Sequence, residues 1–440
     1  MDGGFAAACR SYCIHEALKL LLIPQLFPLE KLILSGLVIA LFARPSPQIL
    51  VLAIGLRCCH TLALMPIIWD SFYWCLQIDG AGLLLCVSLT WLHGSAEPGQ
   101  VAWWWASIAR HQLSIFYTAC AFWKLNTSFL EARTSCSTIF VLTLLQLTGV
   151  DPPKELAPLL ARLSPGITIV GEGAIGLLLA APSRKLVRLG TALALLLHMG
   201  IALTPAPNNA TPFSLTCVVR LMIAHAPDVS LAFNELAGLQ HQVPGRVTAG
   251  VAIGAAASLT WMAYLRACRF PPNPLPAAPD FWITATTALS VICLRALLLQ
   301  SDRDEGANGM AAAGNGTRGG EGARGGNGDG GRPGKPGKQA APATKIRSVG
   351  AGDAAAETAV PASTTSSTTP STTYLSRLRS ALIGLAVVYA FGGPLIGFQD
   401  LGACNMYSNL RMHGGSNHLL VPTNIAGRMH AGGGPTQTEN

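Results

Sequence analysis

Charge is scarce in this sequence. Only 12% of its 440 residues are Asp, Glu, Lys or Arg, against about 25% in an ordinary soluble domain, which excludes a fully water-exposed globular surface. The net charge of +8 is spread thinly over short loops and a Gly-rich segment and outlines no nucleic-acid groove. Paired cysteine motifs are missing too. The twelve cysteines have neither the C-x2-C spacing of a zinc site nor the even spacing of a disulfide framework; Cys58, Cys59, Cys75, Cys86, Cys120, Cys217 and Cys293 fall inside apolar runs and read as small core hydrophobes. No G-x-S-x-G elbow, P-loop, dinucleotide fingerprint or metal-binding arrangement is present, and no period of 20 to 50 residues recurs. The opening stretch MDGGFAAACRSYCIHEALK carries acidic and His residues where a secretory leader has a basic region, so no signal peptide is expected.

What the chain has instead is apolar residues, 50% of the total, gathered in runs close to the roughly 20 needed for a helix to cross a bilayer. The expected fold is an all-α polytopic bundle of ten or eleven transmembrane helices. Spans are placed near residues 31–43, with a Pro-broken approach helix from about residue 15, then 48–68, 72–93, 103–124, 135–150, 166–182, 186–204, 211–226, 247–265, 280–299 and 380–398. Residues 1–300 form the bundle. Residues 301–373, without Leu, Phe or Trp, cannot bury enough apolar surface to offset the entropy of ordering and read as a disordered linker. Residues 374–440 hold the last hydrophobic helix and a polar motif, MYSNLRMHGGSNHLLVPT at 406–423. Lys and Arg are balanced between the two sets of loops, so neither topology nor compartment follows from them.

Ionisable groups inside apolar spans need an explanation, since each costs roughly 2.5 to 3.5 kcal/mol at a bilayer centre. Helical spacing puts Arg110, Ser114, Tyr117, Ala121 and Lys124 on one face, with Ile115, Phe116, Phe122 and Trp123 opposite. This polar stripe, about 21 Å from Arg110 to Lys124, is expected to face the bundle interior or a wet cavity. Snorkelling of both ends to the headgroups is the alternative. A desolvated Lys124 would be a candidate base. Glu172 is expected about one turn into its span, where a helix N-terminus favours a carboxylate. Arg220, nearer mid-span, needs a partner, and Glu172 is the expected one. His198, His60 and Asp79 read either as ligands or proton carriers or as hydrogen-bonded structural residues.

These residues carry a family resemblance. Tyr117-Thr118-Ala119-Cys120-Ala121-Phe122-Trp123-Lys124-Leu125-Asn126 with Phe129 resembles the K-L-[DN]-x-x-[WF] segment of the horizontally transferred transmembrane (HTTM) domain, the membrane portion shared with vitamin K-dependent gamma-carboxylase. GEGAIGLLL at 171–179 and LLLHMGIALTPAPNNATPFSL at 195–215 resemble that family's Glu-containing and His-containing helices, and 406–420 resembles a tail element of such proteins. The resemblance implies a quinone such as vitamin K as cofactor and Lys124 as the base that deprotonates its hydroquinone. Asn126 and Phe129 stand where the carboxylase has Asp and Trp, and no counterpart of its large substrate-holding region follows residue 300.

The leading expectation is therefore a cavity for a lipophilic small molecule, quinone or lipid, with Lys124 as candidate base and Arg110, Tyr117, Glu172, His198 and Arg220 as substrate contacts. Membrane lipids are the expected surroundings; nucleic acid and metal are not expected. A transporter, or a non-catalytic subunit that docks into a membrane complex through 301–440, are the alternatives.

Overall fold

The computed structural model describes residues 3–22, 28–63, 70–147, 155–203, 210–238, 283–300, 370–396 and 417–421. The span expected at 247–265, the linker up to residue 369 and the tail at 406–416 lie outside them. By contacts the chain divides into Met1–Leu297 with Thr369–Asn440, and Leu298–Thr368; the bundle is the first unit.

The fold is all-α. In chain order the helices are α1 (Gly3–Leu22), α2 (Pro28–Ala43), α3 (Pro47–Ala63), α4 (Asp70–His93), α5 (Pro98–Trp123), the single turn α6 (Thr127–Leu130), α7 (Cys136–Leu147), α8 (Leu156–Ala180), α9 (Arg184–Ala202), α10 (Ala210–Ala224) and α11 (Ala226–Gly238). They are followed by α12 (Ile283–Gln300) and α13 (Pro370–Val387), which continues through a π-turn at Val388–Gly392 into Gly393–Ile396. Among the described residues there is no strand, only an isolated antiparallel bridge between Asn126 and His418.

Among the described residues five helices are long and apolar enough to cross a membrane: the Trp74–His93 part of α4, α8, α9, α12, and Thr373–Ile396 of the last helix. The pair α10 and α11 makes a sixth if counted as one span broken by a 96° bend. That bend corrects the straight span expected at 211–226. Pro227, at the second position of α11, cannot continue α10's hydrogen-bond ladder. The expected span at 135–150 is the 12-residue α7, about 18 Å long and short of the roughly 30 Å hydrocarbon core. Outward-facing apolar side chains such as Val170 at 71% and Leu177 at 72% exposure suit contact with lipid better than with water.

At the centre lies α5, which packs against α1, α4, α8, α10, α11 and the last helix. Burial is therefore not confined to the polar stripe of α5. Phe116 and Trp123, on the apolar face opposite the stripe, are as buried as Tyr117, because neighbouring helices cover that part of α5 as well.

Prolines inside helices are accommodated by side-chain donors. Pro165 lies within α8 and removes the N–H that would serve the Ala161 carbonyl; the hydroxyls of Thr138 (3.0 Å) and Ser164 (3.2 Å) donate to that oxygen instead. The helix thus begins at Leu156 rather than near 166. Pro394 likewise deprives the Ala390 carbonyl of its partner, and the Trp123 indole fills the gap at 2.8 Å. In a medium without water such replacements are what make a proline tolerable.

Candidate functional site

The site is built where α5 and α8 meet. GEGAIG at 171–176 gives α8 a glycine edge, and a Cβ on Gly176 would come within 2.9 Å of the Thr118 nitrogen and 3.0 Å of the Ser114 carbonyl. Only glycine permits this approach. Ser114 Oγ donates to the Gly176 carbonyl at 2.7 Å. One helical turn away, the same contact brings Lys124 onto Glu172: Lys124 Nζ donates to both carboxylate oxygens, at 3.0 and 2.8 Å. Both residues are buried. Because α8 starts at Leu156, Glu172 lies deep in the helix, and the expected stabilisation by a nearby helix N-terminus is corrected to pairing with Lys124.

A second dyad lies on the same stripe. Tyr117 Oη is 2.7 Å from Nε2 of His198, on α9, and both side chains are almost wholly buried. His198 Nδ1 has no hydrogen-bond partner among the described residues. The two dyads border one cavity of about 230 Å³. Its remaining walls are chiefly apolar, with Phe116, Phe129, Phe140 and Phe213 supplying aromatic faces.

Lys124 closes α5 as its C-cap, and the turn that follows is held by Asn126. The Asn126 Nδ2 donates to the Trp123 carbonyl at 2.9 Å, and its Oδ1 accepts the Phe129 N–H at 2.9 Å, capping α6. Phe129, thus placed, puts its ring 5.8 Å from Lys124 Nζ. A carboxylate at position 126 could provide the cap but not the donor, which gives a physical reason for Asn here.

Two of the expected contacts lie elsewhere. Arg110 does not line the cavity; it is about 21 Å up the helix from Lys124, beside His111, which meets Arg379 of α13 at 3.1 Å. Arg220 pairs with Asp79 (2.6 Å), not with Glu172. Its other Nη donates to His15 Nδ1 at 3.1 Å, so His15 Nε2 carries the proton it shares with Thr216 Oγ1 at 3.0 Å. The expectation fails because Glu172, on α8, is already engaged by Lys124.

This second cluster was largely missed. Glu16 receives Lys19 at 2.7 Å and lies 3.3 Å from Arg57, so α1, α3, α4 and α10 share one buried ionic network. Its sequence signal was the i, i+3 pair Glu16 and Lys19 inside an apolar stretch. His60, 2.6 Å from Glu30, joins α3 to α2. Among the described residues no three His, Cys, Asp or Glu side chains gather as a metal site.

Compared with protein-family models, curated proteins and solved structures, the chain matches none.

Proposed function

We propose that the chain is a multi-pass membrane protein whose cavity between α5, α7, α8 and α9 binds a lipophilic small molecule, a quinone or a lipid. The observation that carries this reading is the meeting of two buried polar dyads, Lys124 with Glu172 and Tyr117 with His198, on one aromatic-walled cavity. A buried ion pair is a poor device for stability, because desolvation of both charges offsets most of their attraction. Intramembrane ionisable groups facing a cavity are instead a mark of function. At about 230 Å³ the space is below the roughly 300 to 1,000 Å³ of sites that enclose a whole drug-sized ligand. It suits the ring or headgroup of a longer molecule.

The resemblance to the HTTM and gamma-carboxylase family supports a quinone and a proton-accepting Lys124. A bound hydroquinone would supply an acidic hydroxyl. To receive that proton Lys124 must first give one up, and Glu172 is placed to take it: transfer across 2.8 Å leaves an amine beside a neutral carboxyl, and the pair carries no net charge in either form. Tyr117 and His198 would orient the ring oxygen.

The test is to purify the protein and identify co-extracted lipophilic molecules by mass spectrometry, comparing wild type with Lys124→Ala and Arg110→Ala. A molecule retained by wild type and Arg110→Ala but lost from Lys124→Ala is expected. Equal recovery from all three, or recovery of bulk lipid alone, would remove the cavity from the function. The 96° break between α10 and α11 is the one feature that favours transport, since transporters build sites at broken helices. Arg220, on the broken span, is engaged by Asp79, which makes transport the secondary reading.

A further inference from the structure

We infer that Asn417 and His418 are positioning residues for Lys124, and that residues 417–421 act as a strap that reinforces the C-terminal cap of α5. A helix leaves its last carbonyls without i+4 donors; at the end of α5 the Leu125 N–H reaches the Phe122 carbonyl at 3.0 Å and Asn126 Nδ2 the Trp123 carbonyl at 2.9 Å. The strap adds further hydrogen bonds to this turn from the far end of the chain. His418 Nε2 lies 2.9 Å from the Phe122 carbonyl, and its Nδ1 accepts the backbone N–H groups of Leu420 and Val421, each at 3.2 Å. With Nδ1 accepting, Nε2 bears the hydrogen and donates to Phe122. The Leu419 N–H donates to the Leu125 carbonyl at 2.9 Å, and the Thr127 N–H to the Asn417 carbonyl at 3.1 Å.

The side chain of Asn417 completes the arrangement. Its Nδ2 donates to Asn126 Oδ1 at 3.2 Å and to Ser128 Oγ at 3.0 Å, fixing the same Asn126 oxygen that caps α6. The His418 ring lies against Phe122, with ring centres 4.7 Å apart, and Trp123, at 5.2 Å. Every backbone position from Phe122 to Thr127 that the strap touches flanks Lys124, while Lys124 itself is left to reach Glu172. The strap therefore sets where the ammonium group points without touching it.

This inference goes beyond the cavity reading and stands whether the cavity is filled or empty, so its test needs no ligand. The full-length protein in detergent is treated with acetic anhydride, and the acetylation rates of Lys124 and Lys19 are followed by mass spectrometry. Lys19 is the internal reference: it is also buried, at 3% exposure, but belongs to the Glu16 cluster. In His418→Ala, Lys124 is expected to react about tenfold faster while Lys19 keeps its wild-type rate, the pattern of a local opening rather than general unfolding. Asn417→Ala, which removes the side-chain bonds to Asn126 and Ser128, is expected to act in the same direction and carries the test if His418→Ala does not fold. Unchanged Lys124 labelling, or equal acceleration of Lys124 and Lys19, overturns the inference. If the strap holds but no molecule co-purifies, only the cavity reading falls.

Discussion

Asn126 spends both ends of its amide, Nδ2 on the Trp123 carbonyl and Oδ1 on the Phe129 N–H and Asn417. Asn126→Asp keeps the size and the cap yet sets a carboxylate oxygen against a carbonyl, in a side chain with no exposure. The expected loss is about 1 to 3 kcal/mol, the cost of an unsatisfied buried polar group, read as a lower unfolding temperature in detergent; an unchanged midpoint would mean the turn relaxes to admit water. The same residue illustrates the reach of sequence reading. Helical periodicity alone put Ser114, Tyr117 and Lys124 on one stripe, because their spacing is fixed by 3.6 residues per turn. Their partners were less legible: Glu172 lies 48 residues beyond Lys124, and Asp79 lies 141 before Arg220. Either carboxylate, Asp79 or Glu172, could by composition pair with either cation, Lys124 or Arg220, and only the helix packing decides.

Between elements, the α5–α8 contact is set by glycine. A Cβ at Gly176 would lie against the hydroxyl and backbone of Thr118, whereas one at Gly173 would meet only the Ala121 Cβ at 3.7 Å, an ordinary contact. Gly176→Ala is expected to push the helices apart and destabilise the bundle by about 1 to 3 kcal/mol, as overpacking does. Gly173→Ala should be neutral or slightly stabilising, since alanine is the better helix former. Comparison of the two unfolding midpoints checks this; equal losses would show that the close approach is not what matters. The prolines explain why helix limits were harder to read than helix positions. The span expected from residue 166 starts just after Pro165, a boundary by local rules, but Thr138 on α7 serves the freed Ala161 carbonyl. A donor from another helix thus cancels a local stop signal.

For the bundle as a whole, the buried ionic network of Glu16, Lys19, Arg57, Asp79 and Arg220 binds four helices that are far apart in the chain. Removing one charge leaves its partner buried and unmatched, at about 3 to 5 kcal/mol. Asp79→Asn should therefore lower the unfolding midpoint sharply, and Asp79→Leu combined with Arg220→Met should recover much of the loss. A double variant no better than the single one would indicate that Arg220 is held mainly by His15. Such recovery is expected in stability alone, because this cluster lies apart from the cavity's lining residues.

The 141-residue separation of Asp79 from Arg220 also has a meaning in time. Ribosomes add about 5 to 20 residues per second, so α4 waits roughly 7 to 28 seconds, at those rates, before the guanidinium that neutralises its carboxylate has been made. The strap arrives later still, with His418 trailing Phe122 by 296 residues. During synthesis the nascent bundle thus passes through a stage in which Asp79 lacks its direct partner Arg220 and the strap is not yet on the Lys124 turn. That interval is when a membrane chaperone or quality-control protease would find this chain most recognisable.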